Sequence, residues 1–176
     1  MENSETSIPP KYDAVFVGRL EESKGIREFL EASRLKGLDI GIGGVGELRK
    51  ELEIEFPEAT FLGEVDGQSL MAGSRILVVP SLANETFGRV ALEGVAAGIP
   101  VLLSKRGGLT EFKGRKGSAI IEIDPEDIQD FSEKIDFALT LGKNDEEIPS
   151  GWLEDHFENQ LEKFKLLLSR YLKSKP

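Results

Sequence analysis

The amino-acid sequence predicts an α/β protein built on a Rossmann-like parallel sheet of about six strands with helices on both faces. Short runs rich in β-branched and apolar residues recur along the chain, and stretches with helical periodicity separate them. Strands that alternate with helices form a parallel sheet, because each crossover helix packs back onto a face of that sheet. The length of 176 residues fits one such domain with its own core and is too short for two ordinary domains.

Each strand and helix is predicted from its local sequence. Residues 76–79 form a β-branched run that Pro80 closes, which is typical of a buried strand. The helix that follows covers residues 89–97 and stops at Gly98. By the same criteria the other strands fall at residues 13–17, 38–42, 60–62, 101–104 and 119–123. Further helices fall at residues 25–33, 47–55 and 68–72.

A capping signal marks the last helix of the predicted domain. Asp124 suits the N-cap and Pro125 the first helical position, so a helix should begin there and run to residue 141. The chain as a whole is predicted to comprise a flexible lead-in, a Rossmann-like domain, a charged linker and an amphipathic helix, at residues 1–10, 11–142, 143–150 and 151–176.

Composition and charge exclude several classes of function. A formal net charge of −10 argues against binding of nucleic acid through a broad basic surface. The absence of cysteine excludes disulfides, thiol catalysis and cysteine-ligated zinc, and the single histidine, His156, has no cluster of partners, so no metal site is expected. No signal peptide and no apolar run of membrane-spanning length is recognisable, and we therefore expect a soluble, cytoplasmic protein without a transmembrane segment.

Two glutamates, Glu85 and Glu93, flank the predicted turn from the fourth strand into the next helix. Glu93 lies in an almost wholly apolar helical run, where an unpaired carboxylate is costly to bury. The N–H groups at the start of that helix, near Phe87 and Gly88, form a site for phosphate or another anion. A rise of about 1.5 Å per residue puts Glu93 roughly 7 Å beyond Gly88, within reach of a ribose whose diphosphate sits at the helix start. The alternative is that Glu93 pairs with Arg89 and that Glu85 is solvated.

Other candidate residues also follow predicted strands. Ligands of open α/β sheets bind beyond the carboxyl ends of the strands, and Gly18 with Arg19, Gly43 and Val65 lie there after the first three strands. Arg19 offers a planar fork that suits phosphate oxygens, and Lys24 adds a mobile positive charge.

A glycine pattern at residues 41–46 matches G-x-G-x-x-G. This pattern invites a dinucleotide-binding interpretation. The fingerprint belongs after the first strand of a Rossmann unit, however, and here it follows the second. We therefore give the match little weight.

The segment from Glu85 to Glu93 resembles the E-x7-E signature of the family 4 retaining glycosyltransferases, which have the GT-B fold. Gly18-Arg-Leu followed by Lys24-Gly resembles the family's G-R-L and K-G opening, in which the arginine and the lysine grip the donor diphosphate. Later landmarks agree in the family's order, at residues 42–46, 61–63, 98–101 and 107–111. The resemblance is dense over residues 13–124.

The resemblance implies that this chain is the donor-binding C-terminal half of a GT-B enzyme. The enzyme would be a retaining hexosyltransferase that uses a nucleotide-diphosphate sugar and no separate cofactor. An acceptor-binding N-terminal half, in the same or a second chain, would complete it, so this domain alone is expected to be inactive. The last helix would cross to that half, which predicts an exposed apolar face and self-association when the domain stands alone.

The resemblance also assigns roles to individual residues. Glu85 would be catalytic and would contact the transferring sugar, Arg19 and Lys24 would bind the diphosphate, and Glu93 would hold the ribose hydroxyls. The residues implied in donor binding are Gly18, Arg19, Lys24, Gly43, Val65, Thr86, Phe87, Gly88, Arg89, Val90 and Glu93. Two alternatives remain open: another GT-B enzyme, such as a nucleotide-sugar epimerase or a glycogen-synthase-like polymerase, or a non-catalytic nucleotide-binding or scaffolding domain.

Overall fold

The computed structural model of the chain describes residues 11–84, 88–106 and 120–143. All of them belong to the first of the two units into which the chain divides, residues 1–146. The strands are β1 (Tyr12–Val17), β2 (Ile40–Gly43), β3 (Thr60–Gly63), β4 (Ser74–Val79), β5 (Val101–Ser104) and β6 (Ile120–Ile123). The helices are α1 (Ile26–Arg34), α2 (Arg49–Glu55), α3 (Gly67–Ala72), α4 (Arg89–Ala96) and α5 (Ile128–Leu139), with a short 3-10 helix at Glu22–Lys24.

The six strands form one sheet in the order β3-β2-β1-β4-β5-β6. Every neighbouring pair is parallel. From β1 the chain winds outward through β2 to β3, then returns to the other side of β1 and winds outward through β4 to β6. The direction of winding therefore reverses between β1 and β4, and this topological switch point is where open α/β sheets bind ligands. The predicted Rossmann-like architecture is confirmed.

Both faces of the sheet are covered, as its hydrophobic strands require. On one face α1 and α5 pack together, with the ring centroids of Phe29 and Phe131 6.5 Å apart. On the other face α4 lies very close to the sheet at Gly94, where an added Cβ would come within 2.4 Å of the Leu77 side chain and 3.0 Å of Val101. Glycine at position 94 therefore permits the short distance between α4 and the strands beneath it.

The start of the last helix differs from its prediction. The helix begins at Ile128, and Asp127 is its N-cap, with a side-chain oxygen that accepts from the Asp130 N–H at 3.1 Å. Asp124 instead caps the preceding turn, where its side chain accepts from the Glu126 N–H at 3.2 Å. Asp124 and Asp127 can both cap a helix through a side-chain oxygen. The predicted helix start at Pro125 is wrong because Asp127, not Asp124, caps this helix.

Several predictions lie outside the described residues. These are the lead-in at 1–10, most of the linker at 143–150 and the amphipathic helix at 151–176. Within the part of the chain that the structure describes, no helix has both the length and the apolar character needed to cross a membrane.

Candidate functional site

A cavity of about 230 Å³ lies at the switch point, between the carboxyl ends of β1 and β4 and the start of α4. Six of the predicted donor-binding residues line this cavity, and we call it the switch-point cavity. Its lining residues are Phe16, Val17, Gly18, Arg19, Lys24, Val79, Ser81, Gly88, Arg89 and Val90. The fold thus gathers residues from four separate stretches of sequence around one space.

The start of α4 forms one wall of the switch-point cavity. Gly88 occupies the N-cap with φ 58° and ψ 36°, a left-handed conformation that glycine adopts without strain. Because Gly88 has no side chain to cap the helix, it cannot satisfy the first N–H groups of α4, which belong to Arg89 and Val90. Such N–H groups, together with the helix dipole, favour an anion at this wall.

The loops after β1 and β2 form the wall that carries Arg19. They run side by side, with hydrogen bonds from the Gly18 N–H to the Gly43 carbonyl and from the Leu20 N–H to the Val45 carbonyl, each 2.9 Å long. Gly44 has φ 134°, and a Cβ at this position would lie 1.8 Å from the Gly18 carbonyl oxygen. The position of the Arg19 backbone therefore depends on a neighbouring loop that only glycine can form.

The 3-10 helix brings Lys24 to the carboxyl end of β4. The N–H groups of Leu82 and Ala83 both donate to the Ser23 carbonyl, at 2.9 and 3.2 Å. Gly25, with φ 66°, packs so closely on the residue after β4 that a Cβ there would lie 2.0 Å from the Pro80 carbonyl oxygen. These contacts hold the 3-10 helix, which carries Lys24, against residues 80–83 after β4.

Arg106 holds the same loop from the other side. Its guanidinium donates to the Leu82 carbonyl and pairs with Glu126, which precedes α5. Leu82 and Ala83, which follow β4, are therefore held by the 3-10 helix on one side and by the β5 exit on the other.

The two arginines at the switch-point cavity each carry an acidic partner. Nη2 of Arg19 lies 3.1 Å from Oε1 of Glu21, and Nε of Arg89 lies 2.9 Å from Oε1 of Glu93. Both arginine side chains are about three-quarters exposed, whereas the two glutamates are 25% and 23% exposed. The pairing of Glu93 with Arg89, which the sequence offered as an alternative, is present in the structure.

Glu93 also approaches the start of α3. A Cβ added to Gly67 would lie 3.9 Å from Oε2 of Glu93 and 3.3 Å from Cγ1 of Val17. The carboxylate is thus held between Arg89 and α3, one helical turn beyond the start of α4. Glycine at position 67 keeps the space beside its second oxygen free of a side chain.

Gly43 and Val65 lie together, and neither lines the switch-point cavity. A Cβ on Gly43 would come within 2.7 Å of Cγ2 of Val65, and Val65 is 40% exposed. Asp66, the next residue, caps α3 through the N–H groups of Gln68 and Ser69. The hydrogen bond from the Ser69 hydroxyl, 2.5 Å long, is the main reason that the pKa of the Asp66 carboxyl is lowered. Asp66 thereby fixes the start of α3, directly after Val65.

Glu85, Thr86 and Phe87 lie outside the described residues, and the roles assigned to all the site residues stay predictions. The sequence reasoning missed Ser81, which lines the switch-point cavity, although its place directly after the strand that Pro80 closes was a usable signal. It also missed Glu21, whose partner depends on the path of the loop. Among the described residues, no group of three or more carboxylates or imidazoles could hold a metal ion.

Comparisons with known proteins agree with this geometry. The family model described as "Glycosyl transferases group 1" matches residues 11–140. An uncharacterised glycosyltransferase of Methanocaldococcus jannaschii is 40% identical over 111 residues, which cover 55% of this chain and 28% of the relative. A GDP-mannose-dependent alpha-mannosyltransferase of Mycolicibacterium smegmatis is 34% identical over 95 residues, which cover 53% of this chain and 25% of the relative. The chain therefore matches only about a quarter of the length of either relative.

Two solved structures have a similar fold over about three-quarters of this chain. One is the C-terminal domain of a glycosyl transferase group 1 family protein, LpcC, from Francisella tularensis, with a TM-score of 0.62 and 26% identity over 76% of this chain and 77% of that domain. The other is the Anabaena protein HepE in complex with UDP-glucose, with a TM-score of 0.64 and 25% identity over 72% of this chain and 38% of HepE. The likeness thus covers most of an isolated C-terminal domain and a minor part of the longer protein.

Proposed function

Since this chain belongs to the glycosyl transferases group 1 family and has the fold of one half of a GT-B enzyme, we propose that it is the donor-binding domain of a retaining glycosyltransferase. The donor is a nucleotide-diphosphate sugar, and no separate cofactor takes part. One observation supports this proposal above the others: the switch-point cavity joins Arg19, Lys24 and the start of α4 around one space. An acceptor-binding half in the same or a second chain completes the enzyme, and this domain alone does not transfer sugar.

The chemistry of sugar transfer explains the need for this combination of groups. As the bond from the sugar to the diphosphate breaks, negative charge builds on the leaving diphosphate. Arg19, Lys24 and the N–H groups of Arg89 and Val90 are positioned before that charge appears, so they stabilise it without reorganisation. The net charge of −10 makes such local positive groups necessary for binding a ligand that is itself an anion.

We propose that the remaining predicted residues contact other parts of the donor. Glu93 binds the ribose hydroxyls, and Gly43 and Val65 lie along the nucleotide and its base. Glu85 contacts the transferring sugar and stabilises the positive character that develops on it, while Thr86, Phe87 and Gly88 line the sugar pocket. Retention proceeds without a nucleophile from this half. Membership in family 4, a cytoplasmic location and self-association through residues 151–176 also stay predictions.

Titration of the chain with a panel of nucleoside diphosphates and their sugar conjugates tests the proposal. We expect heat release and a rise in unfolding temperature with one nucleotide base preferred, because a ligand that binds only the folded state stabilises it. The same panel is to be run on a protein that also contains the acceptor half. Absence of binding to both would contradict the proposal and favour the scaffolding alternative. A product other than a transferred sugar from the complete protein would favour the epimerase or the polymerase.

The ribose assignment of Glu93 has a separate test. Replacing Glu93 with alanine removes the partner of Arg89, and the freed positive charge then strengthens the binding of any phosphate. The test therefore compares the affinities for two ligands that carry the same diphosphate and differ only in the ribose hydroxyls. We expect the unchanged chain to prefer a ribonucleoside diphosphate over its 2′,3′-dideoxy analogue about three- to tenfold, since hydrogen bonds to a charged group are stronger than neutral ones. Glu93→Ala should abolish that preference. Glu133→Ala, at an exposed acid of α5 that does not line the cavity, should keep it, and a preference that persists in Glu93→Ala would remove the ribose role.

A further inference from the structure

Glu21 holds a carboxylate against Arg19 just outside the switch-point cavity. Nη2 of Arg19 lies 3.1 Å from Oε1 of Glu21, and the Ser23 hydroxyl donates to the same oxygen at 2.6 Å. Glu21 occupies the N-cap of the 3-10 helix with an extended backbone, yet its side chain makes no capping hydrogen bond. The carboxylate is directed at the side chains of Arg19 and Ser23 instead of at the backbone N–H groups of the helix that follows it.

The two members of this ion pair differ in how firmly they are held. The Glu21 side chain is 25% exposed and is anchored by Ser23, whereas the Arg19 side chain is 74% exposed. A guanidinium has five N–H donors, so Arg19 can bind phosphate oxygens while Glu21 stays in place. The negative charge of Glu21 therefore remains beside the phosphate position after a ligand has bound.

On the premise of the proposed function, we propose that Glu21 makes this site discriminate against the nucleoside diphosphate product and in favour of the sugar donor. Both ligands place a diphosphate beside Arg19. The terminal phosphate of the free product has a second ionisation with a pKa of about 6, so at neutral pH it carries close to two negative charges. In the donor the sugar occupies that oxygen, and the phosphate carries about one charge fewer. Glu21 repels the product more strongly, which favours replacement of spent nucleotide by fresh donor.

An opposite role, in which Glu21 orients Arg19 for phosphate binding, would be smaller in this geometry. Exposed ion pairs contribute little because water screens both charges and the long side chain keeps its freedom. Orientation would also favour both ligands alike, since both present the same diphosphate to Arg19. A change in the ratio of the two affinities therefore reports the charge of Glu21 and not its effect on the position of Arg19.

Isothermal titration of the full chain with two ligand pairs, UDP with UDP-glucose and GDP with GDP-mannose, tests this inference at neutral pH without divalent cations. Glu21→Gln keeps the shape of the side chain and removes its charge. For the pair that binds, we expect the Kd of the diphosphate to fall about three- to fivefold and that of the sugar conjugate to change less than about twofold. High salt should shrink this difference, because mobile ions screen the repulsion.

Two further variants separate charge from structure. Glu22→Gln removes one charge from the adjacent, exposed residue and should leave the ratio of affinities as it is. Ser23→Ala keeps the charge of Glu21 but removes the hydrogen bond that anchors its carboxylate. This variant should also shift the ratio of affinities toward the diphosphate, by less than Glu21→Gln does.

A ratio that is unchanged in Glu21→Gln, or that changes as much in Glu22→Gln, would overturn the inference. So would a weaker affinity for the diphosphate in Glu21→Gln. If neither the chain nor a protein that also contains the acceptor half binds any nucleoside diphosphate or sugar conjugate of the panel, the proposed function fails and this inference fails with it. If every variant binds with the same preference between the diphosphate and the sugar conjugate, this inference is overturned and the proposed function stands.

Discussion

Replacing Arg19 with alanine is expected to weaken the binding of a nucleoside diphosphate about ten- to thirtyfold while leaving the affinity for the bare nucleoside unchanged. Charge-assisted hydrogen bonds to phosphate contribute more than neutral ones, at about 1.5–3 kcal/mol each. We take the lower part of that range because the Arg19 side chain is 74% exposed. The loss is increased by Glu21, whose carboxylate would then stand beside the phosphate without its arginine.

Calorimetric titration with the nucleoside, its monophosphate and its diphosphate measures this effect. The loss should grow along that series, since only the phosphates reach Arg19. Arg19→Lys keeps the charge but not the planar fork, and should give an intermediate loss. Lys50→Ala, which removes an exposed positive charge from α2, should change none of the three affinities. An equal loss of nucleoside and diphosphate in Arg19→Ala would show that Arg19 acts on the fold of the loop and not on phosphate.

The sheet could be predicted from sequence because its central strands contain short apolar runs that are buried on both faces. Ala14 and Val15 of β1 point to opposite faces and are both fully buried, as are Ile76 and Leu77 of β4. Such runs contrast sharply with the polar, periodic segments between them. The start of α5 was predicted less well because capping is a competition between neighbouring acids, and only the backbone path decides which carboxylate reaches an N–H group.

The candidate site was predictable to the extent that it depends on topology. Arg19 and Lys24 are far from Gly88 in sequence, but all three follow strands at the same edge, and the switch point brings them together. The partners of the charged groups were not predictable in the same way. Glu21 could have capped its helix or faced water, and its choice of Arg19 and Ser23 follows from the turn between β1 and α1.

Contacts between loops were the part of the site least accessible to sequence reasoning. A glycine-rich pattern at residues 41–46 is visible in the chain, but the sequence does not say which backbone atom each glycine approaches. Gly44 faces the carbonyl of Gly18, and Gly25 faces that of Pro80. These glycines therefore shape the site through contacts between two loops, a role that a search for ligand-binding side chains does not find.

Replacing Gly44 with alanine should therefore be the most damaging single change at the site. At φ 134° an alanine is strained whatever its surroundings, and its Cβ would lie 1.8 Å from the Gly18 carbonyl oxygen, which is backbone and cannot turn away. We expect a loss of about 2–4 kcal/mol in the free energy of unfolding, with a fall of roughly 5–15 °C in the midpoint of thermal unfolding. The strand pairing beneath must shift to relieve the contact, and Arg19 moves with it.

Gly37→Ala provides the matched control for this effect. Gly37 also has a positive φ, 64°, but a Cβ there would meet nothing within 4 Å, so alanine brings backbone strain of about 1 kcal/mol without a collision. Thermal unfolding of the two variants separates strain from contact. Diphosphate binding, measured well below both midpoints, should weaken in Gly44→Ala and stay unchanged in Gly37→Ala. Equal unfolding midpoints for Gly44→Ala and Gly37→Ala would mean that the loops after β1 and β2 can move apart at little cost. Arg19 would then be positioned by the ligand and not by the loop after β2.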